Sequence, residues 1–143
     1  MAKVRVEGIE FLGASADSGQ VTAISIGFQD KDYPIPGPPW NGGEVDVPPG
    51  VAFNIKVTAN VHVDTIGADG YGAMAITVKG DGPLANNTKC FFKYSPLLPN
   101  LHDFGTTATF GPFTQPSGGV VISRIRVWTS GTKTAPDIPA SAW

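Results

Sequence analysis

An unbroken alternation of apolar and polar residues constrains this chain more than any other feature. It runs from position 51 to 63 and reads Val-Ala-Phe-Asn-Ile-Lys-Val-Thr-Ala-Asn-Val-His-Val. A period of two is typical of a β-strand that packs one face on a core and exposes the other to water. Pro48, Pro49 and Gly50 precede the run and prevent a helix from continuing into it. The pattern therefore predicts a long strand of a soluble all-β domain.

Short apolar runs separated by turn residues recur along the rest of the chain. Its 143 residues include 18 glycines and 13 prolines, and no interval offers a capped amphipathic helix. This spacing favours one antiparallel β-sandwich of about eight strands. We predict strands near residues 3–7 with an extension to 12, 20–28, 44–47, 51–63, 73–79, 89–94, 105–110 and 120–129. The predicted domain covers residues 1–132.

The last predicted strand separates a core face from a second face. Alternation places Ser123, Ile125 and Val127 toward the core. The opposite face then carries Arg124, Arg126 and Trp128. Packing of the arginine stems on the indole explains this set, and a ligand platform is the alternative interpretation.

Two Pro-rich segments are predicted to extend from the domain. Residues 33–43 are too rich in proline for a central strand, so we expect an exposed loop that presents Tyr33 and Trp40. Residues 133–143 form a carboxyl-terminal arm that ends on a tryptophan, a costly side chain to leave in water. The arm residues predicted to dock on a neighbour are Pro136, Ile138, Pro139 and Trp143.

Composition excludes several classes of function. A formal net charge of -2 and ten dispersed Lys and Arg residues give no basic stripe for nucleic acid. No segment reaches the ~20 apolar residues of a membrane helix, and the amino terminus lacks a signal-peptide pattern, which predicts synthesis in the cytoplasm without export. The single cysteine, Cys90, excludes an intrachain disulfide and a multi-cysteine metal site.

Groups that could carry catalysis or bind a metal are sparse. The two histidines, His62 and His102, lie near Asp64 and Asp103, and these four residues are the reacting groups of an enzyme alternative. The two histidines have no recurrent metal-ligand spacing, and the turn aspartates lack the pattern of a dedicated Ca²⁺ loop. These turn aspartates are Asp17, Asp64, Asp69 and Asp81. We therefore predict no catalytic residue, no metal and no cofactor.

The middle of the chain resembles an immunoglobulin-like sandwich. Val47-Pro-Pro-Gly50 introduces the long strand, and residues 69–82 form a second strand that ends in Asp81-Gly82. The closest resemblance is to bacterial and archaeal adhesion-related domains, over roughly residues 44–129. Residues 64–67 replace the usual corner after the long strand, and the cysteine and tryptophan signature of antibody domains is absent. A jelly roll is the alternative topology.

The resemblance implies a role but no functional residues, because such sandwiches serve as spacers, adhesion modules and virion appendages. We expect a non-enzymatic structural or interaction protein that forms a homo-oligomer or binds capsid or tail proteins. Phage capsid decoration and tail-associated proteins on a virion surface resemble this architecture. The alternative is a carbohydrate-binding or adhesion module that uses Tyr33, Trp40 and Trp128 as a sugar platform.

Overall fold

A computed structural model of the chain describes residues 2–13, 18–62, 71–85, 89–96 and 103–132. These residues form ten β-strands and one short 3₁₀ turn, Gly82–Leu84. The strands are β1 (Ala2–Val6), β2 (Ile9–Gly13), β3 (Ser18–Phe28), β4 (Lys31–Pro34), β5 (Glu44–Val47), β6 (Ala52–His62), β7 (Tyr71–Gly80), β8 (Lys89–Pro96), β9 (Asp103–Thr114) and β10 (Val120–Thr132). The predicted all-β class is confirmed.

The strands form two sheets that enclose one hydrophobic core. The first sheet has the order β5-β1-β10-β7-β8, with β2 also paired to β10, and the second has the order β4-β3-β6-β9. β1 and β2 run parallel to β10, whereas the other described pairings are antiparallel. The first sheet therefore joins the two ends of the described chain. The last two strands, β9 and β10, lie in different sheets.

Strand β6 has the inward face that its alternation predicts. Phe53, Ile55, Val57 and Ala59 are completely buried, while the residues between them are half-buried. Valine and isoleucine side chains of β1, β7 and β10 cover them from the first sheet. Burying a side chain of this size stabilises the fold by about 1.5–3 kcal/mol. The core thus forms where the alternating patterns of the two sheets meet.

The expected inward position of Ser123 is wrong. Ser123 is exposed, whereas Ile122, Ile125 and Val127 are buried. The register between β10 and β7 shifts between Ile122 and Arg124, which marks a β-bulge. An extra residue in one strand reverses the alternation on either side of it, so the inward set changes at this point.

Two strand boundaries also differ from the prediction. The first predicted strand is interrupted after Val6, and β1 and β2 separately pair with β10. Residues 31–34 form β4 at the edge of the second sheet, although the sequence predicts a loop from residue 33. A proline is tolerated in an edge strand because one side of that strand has no ladder to complete.

Candidate functional site

The turn between β3 and β4 lines a cleft on the outer surface of the second sheet. This hairpin cleft is formed by residues 27–32, Ala52, Asn54, Lys56 and Pro112 and has a volume of about 380 Å³. Small-molecule sites in proteins typically have volumes of roughly 300–1,000 Å³. Its walls come from all four strands of the second sheet, so the fold fixes their spacing.

An ion pair crosses the hairpin cleft. The Lys56 ammonium group lies 2.8 Å from Oδ1 and 3.1 Å from Oδ2 of Asp32. Both residues lie beside Gly27, because Gly27 pairs with Asp32 on β4 and lies two residues from Ser25, the position opposite Lys56. A Cβ atom on Gly27 would lie 2.7 Å from the Asp32 Oδ1 atom. The missing side chain therefore leaves the space that the carboxylate occupies.

A second bulge shapes the other side of the hairpin cleft. The β6–β9 register shifts so that Asn54 faces the pair Gly111 and Pro112. Gly111 has a φ of +123°, and a Cβ atom there would approach the Asn54 Oδ1 atom to 2.8 Å. Glycine at this position therefore lets the Asn54 amide lie against the bulge.

The turn that lines the hairpin cleft has an uncommon backbone conformation. Gln29 and Asp30 have φ values of 50° and 62° and separate the paired residues Phe28 and Lys31. Two positive φ values in a two-residue hairpin loop match a type I′ turn, for which Asn-Gly is the preferred sequence. Glutamine in this region is uncommon and carries a steric cost. Both side chains are exposed at the mouth of the cleft.

The three predicted platform aromatics do not form one exposed surface. Tyr33 is half-buried in β4, where its ring stacks on Phe28 with centroids 4.5 Å apart. Trp40 is half-buried against the core. Trp128 belongs to the other sheet and is only 8% exposed. Its neighbour in alternation, Arg126, pairs with Glu10 of β2 at 3.1 Å. The expected exposure of Tyr33, Trp40 and Trp128 is therefore not observed.

Strand β9 is the last strand of the second sheet among the residues that the structure describes. Among the described residues it pairs with β6 alone, and it carries no charged residue from position 104 to 114. Thr107 and Thr109 are exposed on its outer face, while Ala108 and Phe110 are buried. The Thr107 hydroxyl lies 2.8 Å from that of Thr58 on β6. We call residues 106–110 the β9 edge.

The other described edge strands each carry charge. The charged edge residues are Glu10 of β2, Lys31 and Asp32 of β4, Glu44 and Asp46 of β5, and Lys89 and Lys93 of β8. On β5, hydrogen bonds from Lys3 to Asp46 and Glu44 raise the pKa of Lys3 above its ordinary value. Charged side chains and short length are the usual protections of an edge strand against pairing with another chain. Strand β9 has 12 residues, its residues 106–110 carry no charge, and its bulge and proline lie outside that segment at Gly111 and Pro112.

Sheet register makes two of the predicted reacting residues cross-strand neighbours. His62 and Asp103 are cross-strand partners on β6 and β9, and Ser18 of β3 faces His62 from the other side. Serine, histidine and aspartate are the residues of a nucleophilic triad, but a triad is defined by the geometry of its hydrogen bonds. Neighbouring positions in a sheet also bring such residues together on any polar face. The spacing of Ser18, His62 and Asp103 in the sequence does not predict that they are neighbours, because only the register between distant strands brings their backbones together.

The remaining predicted site residues lie outside the described residues. These are the arm residues Pro136, Ile138, Pro139 and Trp143, the candidate base His102, and the aspartates Asp17, Asp64 and Asp69. Asp81 is described, and its carboxylate accepts a hydrogen bond from the backbone N–H of Val121 at 2.7 Å. The Asp81 carboxylate therefore stabilises the contact between its turn and β10. The described side chains include no group of three or more histidine, cysteine, aspartate or glutamate residues arranged to hold a metal.

Comparison of the chain with protein-family models, with curated proteins and with solved structures gives no match. Within the described part of the chain, no helix is long and apolar enough to cross a membrane.

Proposed function

We propose that this chain is a non-enzymatic structural protein that assembles with further copies of itself. The observation that supports this function is the β9 edge, which leaves one row of backbone N–H and C=O groups without a strand partner among the described residues. An added strand can pair with such a row through main-chain hydrogen bonds. The assembly is a virion component, either a capsid decoration or a tail-associated protein, or another surface assembly. This setting rests on the sequence resemblance.

A second copy of β9 is the partner that the charge pattern favours. Antiparallel pairing about a two-fold axis brings each residue near the axis close to its own copy. A charged residue there would face a like charge, which is destabilising. The β9 edge is neutral, so self-pairing meets no such repulsion, whereas Lys89 and Lys93 would approach their copies on β8. Two copies joined in this way share one eight-stranded sheet.

The test is the solution mass of the protein by light scattering over a concentration series. We expect a mass that rises to an oligomer with concentration. The substitution Thr107→Lys should raise the dissociation constant at least about tenfold, because it places ammonium groups near each other across the axis. The control is Thr107→Val, which removes the same hydroxyl contact to Thr58 but adds no charge.

Each outcome of this measurement decides a separate point. A wild-type chain that stays monomeric at every concentration contradicts self-assembly. If the two variants Thr107→Lys and Thr107→Val form an oligomer with the same dissociation constant, the result supports assembly but excludes the β9 edge as the interface. Weakening by Thr107→Lys alone supports both.

The finer fold class and the carbohydrate alternative have less support. The Ig-like form rests on the sequence resemblance, and the last two strands, which are neighbours in constant-type Ig domains, lie here in different sheets. A sugar platform of Tyr33, Trp40 and Trp128 would need rings that are exposed on one surface. The burial of Trp128 argues against that platform.

A further inference from the structure

The hairpin cleft balances its charges internally. Its lining includes the carboxylates of Asp30 and Asp32 and the ammonium groups of Lys31 and Lys56. Asp32 and Lys56 are already paired at 2.8 Å, and Asp30 and Lys31 carry opposite charges, so the lining as a whole has no net charge that would attract an anion or a cation. A neutral ligand can instead use the donors and acceptors that the pair leaves open. Charge balance therefore favours a neutral ligand with many hydroxyl groups.

Two amide side chains add hydrogen-bonding capacity. Asn54 and Gln29 line the hairpin cleft, and no hydrogen bond joins either amide to another described residue. Each amide can donate and accept at once, which suits adjacent hydroxyl groups of a ligand. The exposed side chains of Ala52 and Pro112 supply apolar surface beside them. This combination matches a molecule that carries C–H and O–H groups together.

The turn conformation provides a second, independent observation. Gln29 and Asp30 occupy left-handed backbone positions where Asn-Gly would be less strained. Residues held in sparsely populated backbone regions cluster at ligand-binding sites. Here both residues with left-handed backbone conformations line the cleft.

We propose that the hairpin cleft is a binding site for a neutral saccharide. Asn54, Gln29 and the Asp32–Lys56 pair bind its hydroxyl groups. This activity is separate from self-assembly, because the cleft lies on the face of the second sheet and the β9 edge lies at its margin.

The test is a titration of the ¹⁵N-labelled protein with glucose, galactose and N-acetylglucosamine, followed by backbone amide chemical shifts. We expect saturable shifts at residues 27–32 and 54–56 with at least one of these sugars. Asn54→Ala should weaken that affinity about tenfold, since it removes hydrogen bonds worth roughly 1.4 kcal/mol. The matched control is Asn60→Ala, an exposed asparagine on the same face of β6, which should bind as the wild type does.

The variant Asp32→Asn provides a second test of sugar binding in case Asn54→Ala does not fold. Asp32→Asn preserves the size of the side chain but removes its charge and weakens its hold on Lys56. We expect it to lower the same affinity. The proposal is overturned if no sugar gives saturable shifts at the cleft, or if both variants bind as tightly as the wild type. Stronger saturation by sodium acetate than by any sugar would also overturn the neutral class of ligand.

Discussion

Gly119 is the residue at which backbone conformation and close packing coincide most clearly. It has a φ of +84°, and its N–H donates to the carbonyl of Pro116 in the turn that leads into β10. A Cβ atom at this position would lie 2.6 Å from the carbonyl oxygen of Lys3 on β1. We expect Gly119→Ala to lower the free energy of unfolding by about 2 kcal/mol or more, measured by chemical denaturation.

The neighbouring Gly118 offers a matched control. A Cβ atom there meets nothing within 4 Å. Gly118→Ala should therefore leave the unfolding midpoint unchanged or raise it slightly, because it reduces the freedom of the unfolded chain. Equal midpoints for the two variants would show that β1 does not approach Gly119 as described.

Burial at single positions could be predicted from the sequence only where alternation is unbroken. Phe53, Ile55 and Val57 lie on the face that the pattern assigns to them. Ser123 does not, because the bulge in β10 adds one residue to the count. Trp128 lies on the predicted face but is nearly buried, since exposure depends on what the rest of the fold places above a strand.

The β3–β4 hairpin allows a prediction at the scale of one element. Replacing Gln29 by Asn and Asp30 by Gly gives the preferred sequence for two positive φ values. We expect the double variant to be more stable by about 0.5–1 kcal/mol in thermal and chemical unfolding. The predicted gain follows from removing a steric cost in the folded state.

A control at another turn separates this effect from a general effect of composition. Pro48 and Gly50 flank the turn before β6, where Gly50 already supplies a positive φ of 81°. The substitution Pro49→Asn, next to this glycine, should give no comparable gain. A double variant of the hairpin that is less stable than the wild type would contradict the assigned turn type.

Strand β4 shows why the elements themselves were only partly predictable. The proline content of residues 33–43 correctly excludes a central strand, but it does not exclude an edge strand. The hairpin cleft depends on this strand, because β4 supplies Asp32. A type I′ turn is normally predicted from an Asn-Gly pair. Because this turn contains Gln29 and Asp30 instead, the sequence did not predict the hairpin.

The whole molecule is closed by pairing between its first and last described strands. β1 lies between β10 and β5, and its Val4 and Val6 are completely buried. Deleting residues 1–6 would remove two ladders and open the core to water. We expect the truncated chain to lose the cooperative thermal transition of the wild type, measured by circular dichroism.

Side-chain changes on the outer face of β1 provide the comparison. Lys3 and Arg5 are exposed, and ion pairs at the surface contribute little to stability because water screens them. The variant with alanine at both positions should therefore retain a cooperative transition. A truncated chain that unfolds like the wild type would show that β1 is not an integral strand.

The sequence by itself determined the all-β class, the inward face of β6 and the turns at Asp81-Gly82 and Pro48-Pro49-Gly50, because alternation and turn chemistry are properties of neighbouring residues. The tertiary structure alone decided the strand order, the bulges in β9 and β10, the side of β9 that has no strand partner among the described residues, and the contact of Asp32 with Lys56. Those features come from register between segments far apart in the chain. Local patterns do not fix register, because many pairings bury the same apolar faces.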